Sequence, residues 1–133
     1  MNVPVVETIL VAYDDPASKT LGRAADLAEA LGSTLIVTNV APPIDSKEAG
    51  EAARLAQERL AQAGSYLEQR GLAAELVPSV GPPAEAIVQL ARRRNADLIV
   101  VGTRRKGFFE RLVEGSVNQD VLRHAPCDVL VVY

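Results

Sequence analysis

Short apolar runs and helix-spaced apolar positions alternate along the whole chain. Ile9-Leu10-Val11-Ala12 is continuously apolar, the pattern of a strand buried on both faces. After the turn at Asp14-Asp15-Pro16, the residues Ala17, Leu21, Ala24, Ala28 and Leu31 recur at helical spacing. Pro16 suits the first helical position with Asp15 as its N-cap, and Gly32 stands where a C-terminal cap belongs. Residues 35–40 predict a second strand. Asp45-Ser46-Lys47-Glu48 reads as a capping box for a long helix, with Ala49, Ala52, Ala56, Leu60, Ala63 and Leu67 on one face and Gly71 as its stop.

The second half repeats the alternation. Residues 74–77 predict a weaker strand, and Pro78 points to a sheet edge because proline cannot donate to a ladder. Pro82 or Pro83 opens a third helix carrying Ile87, Leu90 and Ala91 and ending near Asn95. Residues 98–101 form a fourth apolar run stopped at Gly102. A basic loop follows, then a helix from Ser116, where Ser116-x-x-Gln119 reads as another capping box. Pro126 ends that helix, and Val129, Leu130, Val131 and Val132 make a fifth strand. The order βαβαβαβαβ calls for a mainly parallel sheet with helices on both faces, an α/β doubly wound architecture.

Composition agrees with this picture and narrows it. The 133 residues are 48% hydrophobic and 23% charged, a globular profile, and no composition break divides them, so one domain over 1–133 is expected. Aromatics are only 4%, leaving Val, Leu, Ile and Ala to build the core. A net charge of −3 argues against a nucleic-acid partner, which requires a basic face. No apolar stretch approaches the roughly 18–20 residues that span a bilayer. The N-terminal run lacks a basic n-region, so a cytoplasmic protein without membrane attachment is expected. Cys127 is the single cysteine, which excludes an internal disulfide and leaves no cysteine-based metal site.

In a doubly wound sheet, ligands bind beyond the carboxyl ends of the strands where strand order reverses. That directs attention to Tyr13–Asp14, Asn39–Val40 and the stretch after Gly102. Gly102 leaves a buried strand and Gly115-Ser116 enters a helix, whose first N–H groups and positive dipole end suit phosphate. An ordinary strand-to-helix loop with a serine cap fits the same residues. Gly102-x4-Gly107 is not a P-loop, because Phe108 and Phe109 stand where Lys and Ser/Thr are needed. No G-x-G-x-x-G follows the first strand, so a dinucleotide fingerprint is absent.

The stretch 102–116 resembles the nucleotide loop of the universal stress protein family, Gly-x2-Gly-x9-Gly-Ser/Thr, through Gly102 and Gly115-Ser116. The ending Val121-Leu-Arg-His-Ala-Pro-Cys-Asp-Val-Leu-Val-Val and the opening Ile9-Leu-Val-Ala-Tyr-Asp14 are also similar to that family, as are Val37-Thr-Asn-Val40 and Gly81-Pro-Pro-Ala-Glu-Ala-Ile87. The resemblance implies a Rossmann-like five-stranded parallel sheet in the order 3-2-1-4-5 and an adenine nucleotide (ATP, ADP or AMP), with Mg²⁺ as a candidate companion. It places Ala12 beside the base, Asp14 at the ribose and the Val40 backbone against adenine. Gly102, Gly115, Ser116 and Val117 would surround the phosphates. A carboxylate can accept hydrogen bonds from two ribose hydroxyls. The departure is Arg105, which takes the place of the second glycine. Its side chain could block the phosphate path, or join Arg104 and Lys106 in charge-assisted contacts to phosphate. Asp15–Pro16 also replace the Gly–Ser common after the family's first aspartate.

The remaining conspicuous residues have plain structural readings. His124 and Arg92-Arg93-Arg94 lie near helix C-termini, where positive charge meets the dipole. Cys127 reads as a small packing residue, and Ser116 has no base to make it a nucleophile. The sequence therefore offers no catalytic residue. The expectation is a stress-response regulatory module, not an enzyme, with a nucleotide-free scaffold of the same fold and a weak ATPase as alternatives. The uninterrupted apolar strand 129–132 has no helix after it. If it lies at the sheet edge its open backbone invites a second chain, so a homodimer through Val129–Val132 is expected, as the family resemblance also implies.

Overall fold

A computed structural model describes residues 6–14, 18–41, 46–103 and 116–133. Nine elements alternate through them: β1 (Thr8–Ala12), α1 (Thr20–Leu31), β2 (Thr34–Ala41), α2 (Ser46–Gln69), β3 (Ala74–Val80), α3 (Pro83–Arg93), β4 (Leu98–Gly102), α4 (Ser116–His124) and β5 (Asp128–Val132). The strands form one sheet in the order β3-β2-β1-β4-β5, every pair parallel. The expected doubly wound α/β fold is present, including the strand order.

The apolar runs of β1 and β4 are continuous because both strands are central and covered on both faces. Side chains alternate across the sheet. Ile9, Val11 and Tyr13 join Leu35, Val37 and Val100 under Leu21, Ala24, Ala25 and Ala28 of α1 and Leu60, Ala63 and Leu67 of α2. Leu10, Ile36, Ile99 and Val101 face the other way, under Ile87, Leu90 and Ala91 of α3 and Val121 of α4. Ile9, Leu10, Leu90 and Ile99 are completely buried. Each such side chain contributes about 1.5–3 kcal/mol by leaving water.

The helix stops are local and legible. Gly32 adopts φ 70° and its N–H bonds to the Ala28 carbonyl, closing α1 with a left-handed residue. Asn95 does the same service after α3 at φ 53°, where asparagine tolerates the left-handed region better than most residues. Pro83 begins α3 at a position that needs no N–H donor.

Three details differ from the sequence expectation. The first helix opens at Thr20 rather than Pro16, with Lys19 in the cap position. The Ser18 hydroxyl accepts the Thr20 N–H at 3.3 Å and donates to Thr20 Oγ1 at 3.1 Å, giving the local hydrogen bonding expected of Asp15. Asp15, Pro16 and Ala17 lie outside the described residues, as does Asp45 of the first capping box. The third strand runs on to Val80 through Pro78, which is tolerated because β3 pairs only with β2 at the edge. The fifth strand is at the opposite edge and only Val132 of it is buried, with its neighbours half-buried or exposed. An apolar run there does not mean two covered faces.

Candidate functional site

Strand order reverses between β1 and β4. The connection after β1 leads to α1 on one face, and α4 lies on the other face after β4. In sheets of this kind ligands bind beyond the carboxyl ends of the strands at such a reversal. At that end Asp14 follows β1, Gly102 is the last residue of β4 and Ser116 is the first of α4.

Three of the residues expected around a nucleotide come together on the α3/α4 side of the sheet. Ala12 at the end of β1, Val40 near the end of β2 and Val117 in the first turn of α4 are each half-buried and packed against the same apolar cluster. They come from three elements distant in sequence, and all three border that one cluster, an apolar shelf on this face of the sheet. Val117 also lines a cavity of about 520 Å³ that continues between α3 and α4, bounded by Pro82, Val88, Arg92 and His124. Asp14 is exposed at the end of β1, two residues beyond Ala12.

The backbone leading to Asp14 is held from β2. The Tyr13 N–H bonds to the Thr38 carbonyl at 2.8 Å, continuing the ladder one residue past the strand. The Tyr13 carbonyl accepts a 2.7 Å hydrogen bond from Asn39 Nδ2, and this bond is buried. Next to it, the Thr38 and Ser79 hydroxyls meet at 2.7 Å and join β2 to β3.

Gly102 is held by its own set of neighbours. Its carbonyl accepts from Asn118 Nδ2 of α4 at 3.3 Å, and the following Thr103 N–H bonds to the Val132 carbonyl at 3.0 Å. The space a Cβ would fill is taken by the Thr20 hydroxyl of α1. Thr20 is itself buried. The structure gives this glycine a close approach to α1. Arg105 and Gly115 lie outside the described residues, as does the side chain of Ser116, so of the expected phosphate residues only Gly102 and Val117 are placed in full. Arg104 and Lys106 are outside them too.

Sequence reasoning singled out Asn39 only as a strand end, and it passed over Thr20 and Asn118. A polar residue after the apolar run 35–37 was the available signal for Asn39. Thr20 and Asn118 carry no such signal, because their partners are far away in sequence. The plain readings of His124 and the arginines hold: His124 Nδ1 lies 3.0 Å from the Asp120 carbonyl, and Arg92 donates to the His124 carbonyl at 3.3 Å, all at helix C-termini. Cys127 is half-buried, and burial pushes its thiol up from the ordinary range, with Asp128 and Asp97 adding to the shift. Among the described residues no cluster of His, Cys, Asp or Glu could hold a metal ion, and no helix is long and apolar enough to cross a membrane.

The sheet order and the helices on both faces define an α/β protein of the doubly wound class. The sequence profile of the Universal stress protein family matches residues 6–133, and the chain belongs to that family. A universal stress protein of Thermus aquaticus is 36% identical over 134 residues, covering 95% of this chain and 98% of that one. Among solved structures, a universal stress protein in complex with cAMP superposes with a TM-score of 0.79 at 29% identity, covering 97% of this chain and 98% of that one. The universal stress protein from Archaeoglobus fulgidus in complex with dAMP gives 0.75 at 25% identity, with 98% and 100% covered.

Proposed function

We propose that this chain is an adenine-nucleotide-binding regulatory module of the stress response, a homodimeric cytoplasmic protein of one domain rather than an enzyme. The observation that carries the reading is the packing of Ala12, Val40 and Val117 against one apolar cluster, with the exposed Asp14 two residues beyond Ala12. A purine base suits such a shelf, and a carboxylate beside it suits ribose hydroxyls. Related proteins solved with cAMP and dAMP support the same ligand class. Phosphates would then extend toward Gly102 and the start of α4, where Gly115, Ser116 and Arg105 are assigned by sequence. The deciding measurement is calorimetric titration with ATP, ADP and AMP, with and without Mg²⁺. A saturable heat with at least one of them is expected; none with any of them removes the reading.

A second reading is favoured by one residue. Arg105 stands where the family loop has a glycine, and its side chain would make the domain a nucleotide-free scaffold if it filled the phosphate site. Arg105→Gly separates the two: gain of ATP binding by the variant over a silent wild type supports the scaffold.

Dimerisation is proposed through β5. Among the described residues it is an edge strand paired with β4, and Leu130 within it and Tyr133 after it are exposed. Sedimentation should show a concentration-dependent dimer in the micromolar range. A monomer at every concentration would sink the proposal.

A further inference from the structure

We infer that Asn39 is a positioning residue of the nucleotide site, acting on Asp14 through the Tyr13–Asp14 peptide. The inference rests on the nucleotide reading above and goes beyond it, because Asn39 lies in the interior and is not among the ligand-facing residues. Its side chain is 7% exposed, and its amide donates to the Tyr13 carbonyl at 2.7 Å across the β1–β2 boundary. The Tyr13 N–H is meanwhile bonded to Thr38. Both polar groups of Tyr13 are thereby turned toward β2.

Peptide planarity carries this restraint onward. There is no cis peptide bond among the described residues, and in a trans peptide the N–H points opposite to the C=O. With the Tyr13 carbonyl pinned toward β2, the Asp14 N–H is turned away from β2, toward the β4 side. The Asp14 Cα, from which the carboxylate projects, lies in the same plane. Asn39 also directly precedes Val40, whose backbone is the proposed adenine contact. One buried amide thus links the ribose carboxylate and the base shelf, and it does so where β1 has run out of regular ladder bonds to β4 at Val11–Val100.

A merely structural asparagine would lower stability when replaced but would leave ligand discrimination alone. The test therefore reads selectivity as well as affinity. Dissociation constants for ATP and for 2′,3′-dideoxy-ATP are measured on wild type, Asn39→Leu and Asn39→Ser, with Tm recorded for each. Hydrogen bonds from ribose hydroxyls to a charged group should make wild type prefer ATP by about tenfold or more. Leucine fills the space without a donor, and serine is too short to reach, so in both variants the ratio should fall below about threefold. Serine provides the gentler change should leucine prevent folding. A folded variant that keeps the wild-type ratio, however low its Tm, overturns the positioning role and leaves nucleotide binding intact. A wild type that binds neither nucleotide overturns both.

Discussion

Gly102 is a glycine because Thr20 stands where its Cβ would be. The last residue of β4 and the first of α1 are 82 positions apart in sequence, yet the hydroxyl of one fills the missing side chain of the other. This close approach seats the start of α1 against the end of a central strand.

Gly102→Ala should destabilise the protein by about 1–3 kcal/mol, the usual cost of overpacking a well-filled site. Thr20→Ala removes the colliding oxygen and leaves its Cβ at an ordinary distance of 3.5 Å. The double variant Gly102→Ala/Thr20→Ala should therefore be more stable than the sum of the two single losses, by about 1 kcal/mol or more. Urea unfolding of the four proteins measures the coupling, and strict additivity would contradict the packing account.

Asp97 ties the start of β1 to the start of β4. Its Oδ2 accepts from the Glu7 and Thr8 N–H groups at 2.9 and 3.0 Å, while its own N–H bonds to the Thr8 carbonyl. Asp97→Ala should cost about 1–3 kcal/mol in thermal or chemical unfolding, and Asp97→Asn less, since an amide oxygen still accepts. Faster hydrogen exchange in the alanine variant should be concentrated at the Thr8 amide.

Cys127 should make stability fall at alkaline pH. Its thiol is raised in the folded chain by burial first and by Asp128 and Asp97 second. The folded state therefore holds this proton more tightly than the unfolded chain. The resulting stability is present below the ordinary thiol range and is lost as pH rises from that range through the raised folded value. The Tm of wild type should decline more steeply across pH 8–10 than that of Cys127→Ala; parallel curves would refute this.

Two glycine-to-alanine changes should act in opposite directions. Gly50 is an exposed interior residue of α2 with open space around its missing Cβ, so Gly50→Ala should stabilise by about 0.5–1 kcal/mol. Gly32 is equally uncrowded but sits at φ 70°, so Gly32→Ala should destabilise by about 1 kcal/mol through backbone strain alone. Differential scanning calorimetry of both variants resolves the signs.

The elements, their alternation and the family are legible in the amino-acid order alone. Those are properties of local period: β1 and β4 read as strands because neighbouring positions are all apolar, and α1 ends at Gly32 because one residue can take a left-handed φ. The family motifs likewise pointed to Ala12, Asp14 and Val40. What surrounds them depends on the folded arrangement. That Ala12, Val40 and Val117 share one shelf, that Asn39 grips the Tyr13 carbonyl and that Thr20 makes Gly102 a glycine are contacts between separate elements. Periodicity says which face a residue takes, whereas the partner it meets there depends on how the strands align and the helices seat against them. The same limit explains the opening of α1, where Ser18 and Thr20 displaced the expected Asp15–Pro16 start: Thr20 is held beneath β4, and local capping preference gives way to that packing.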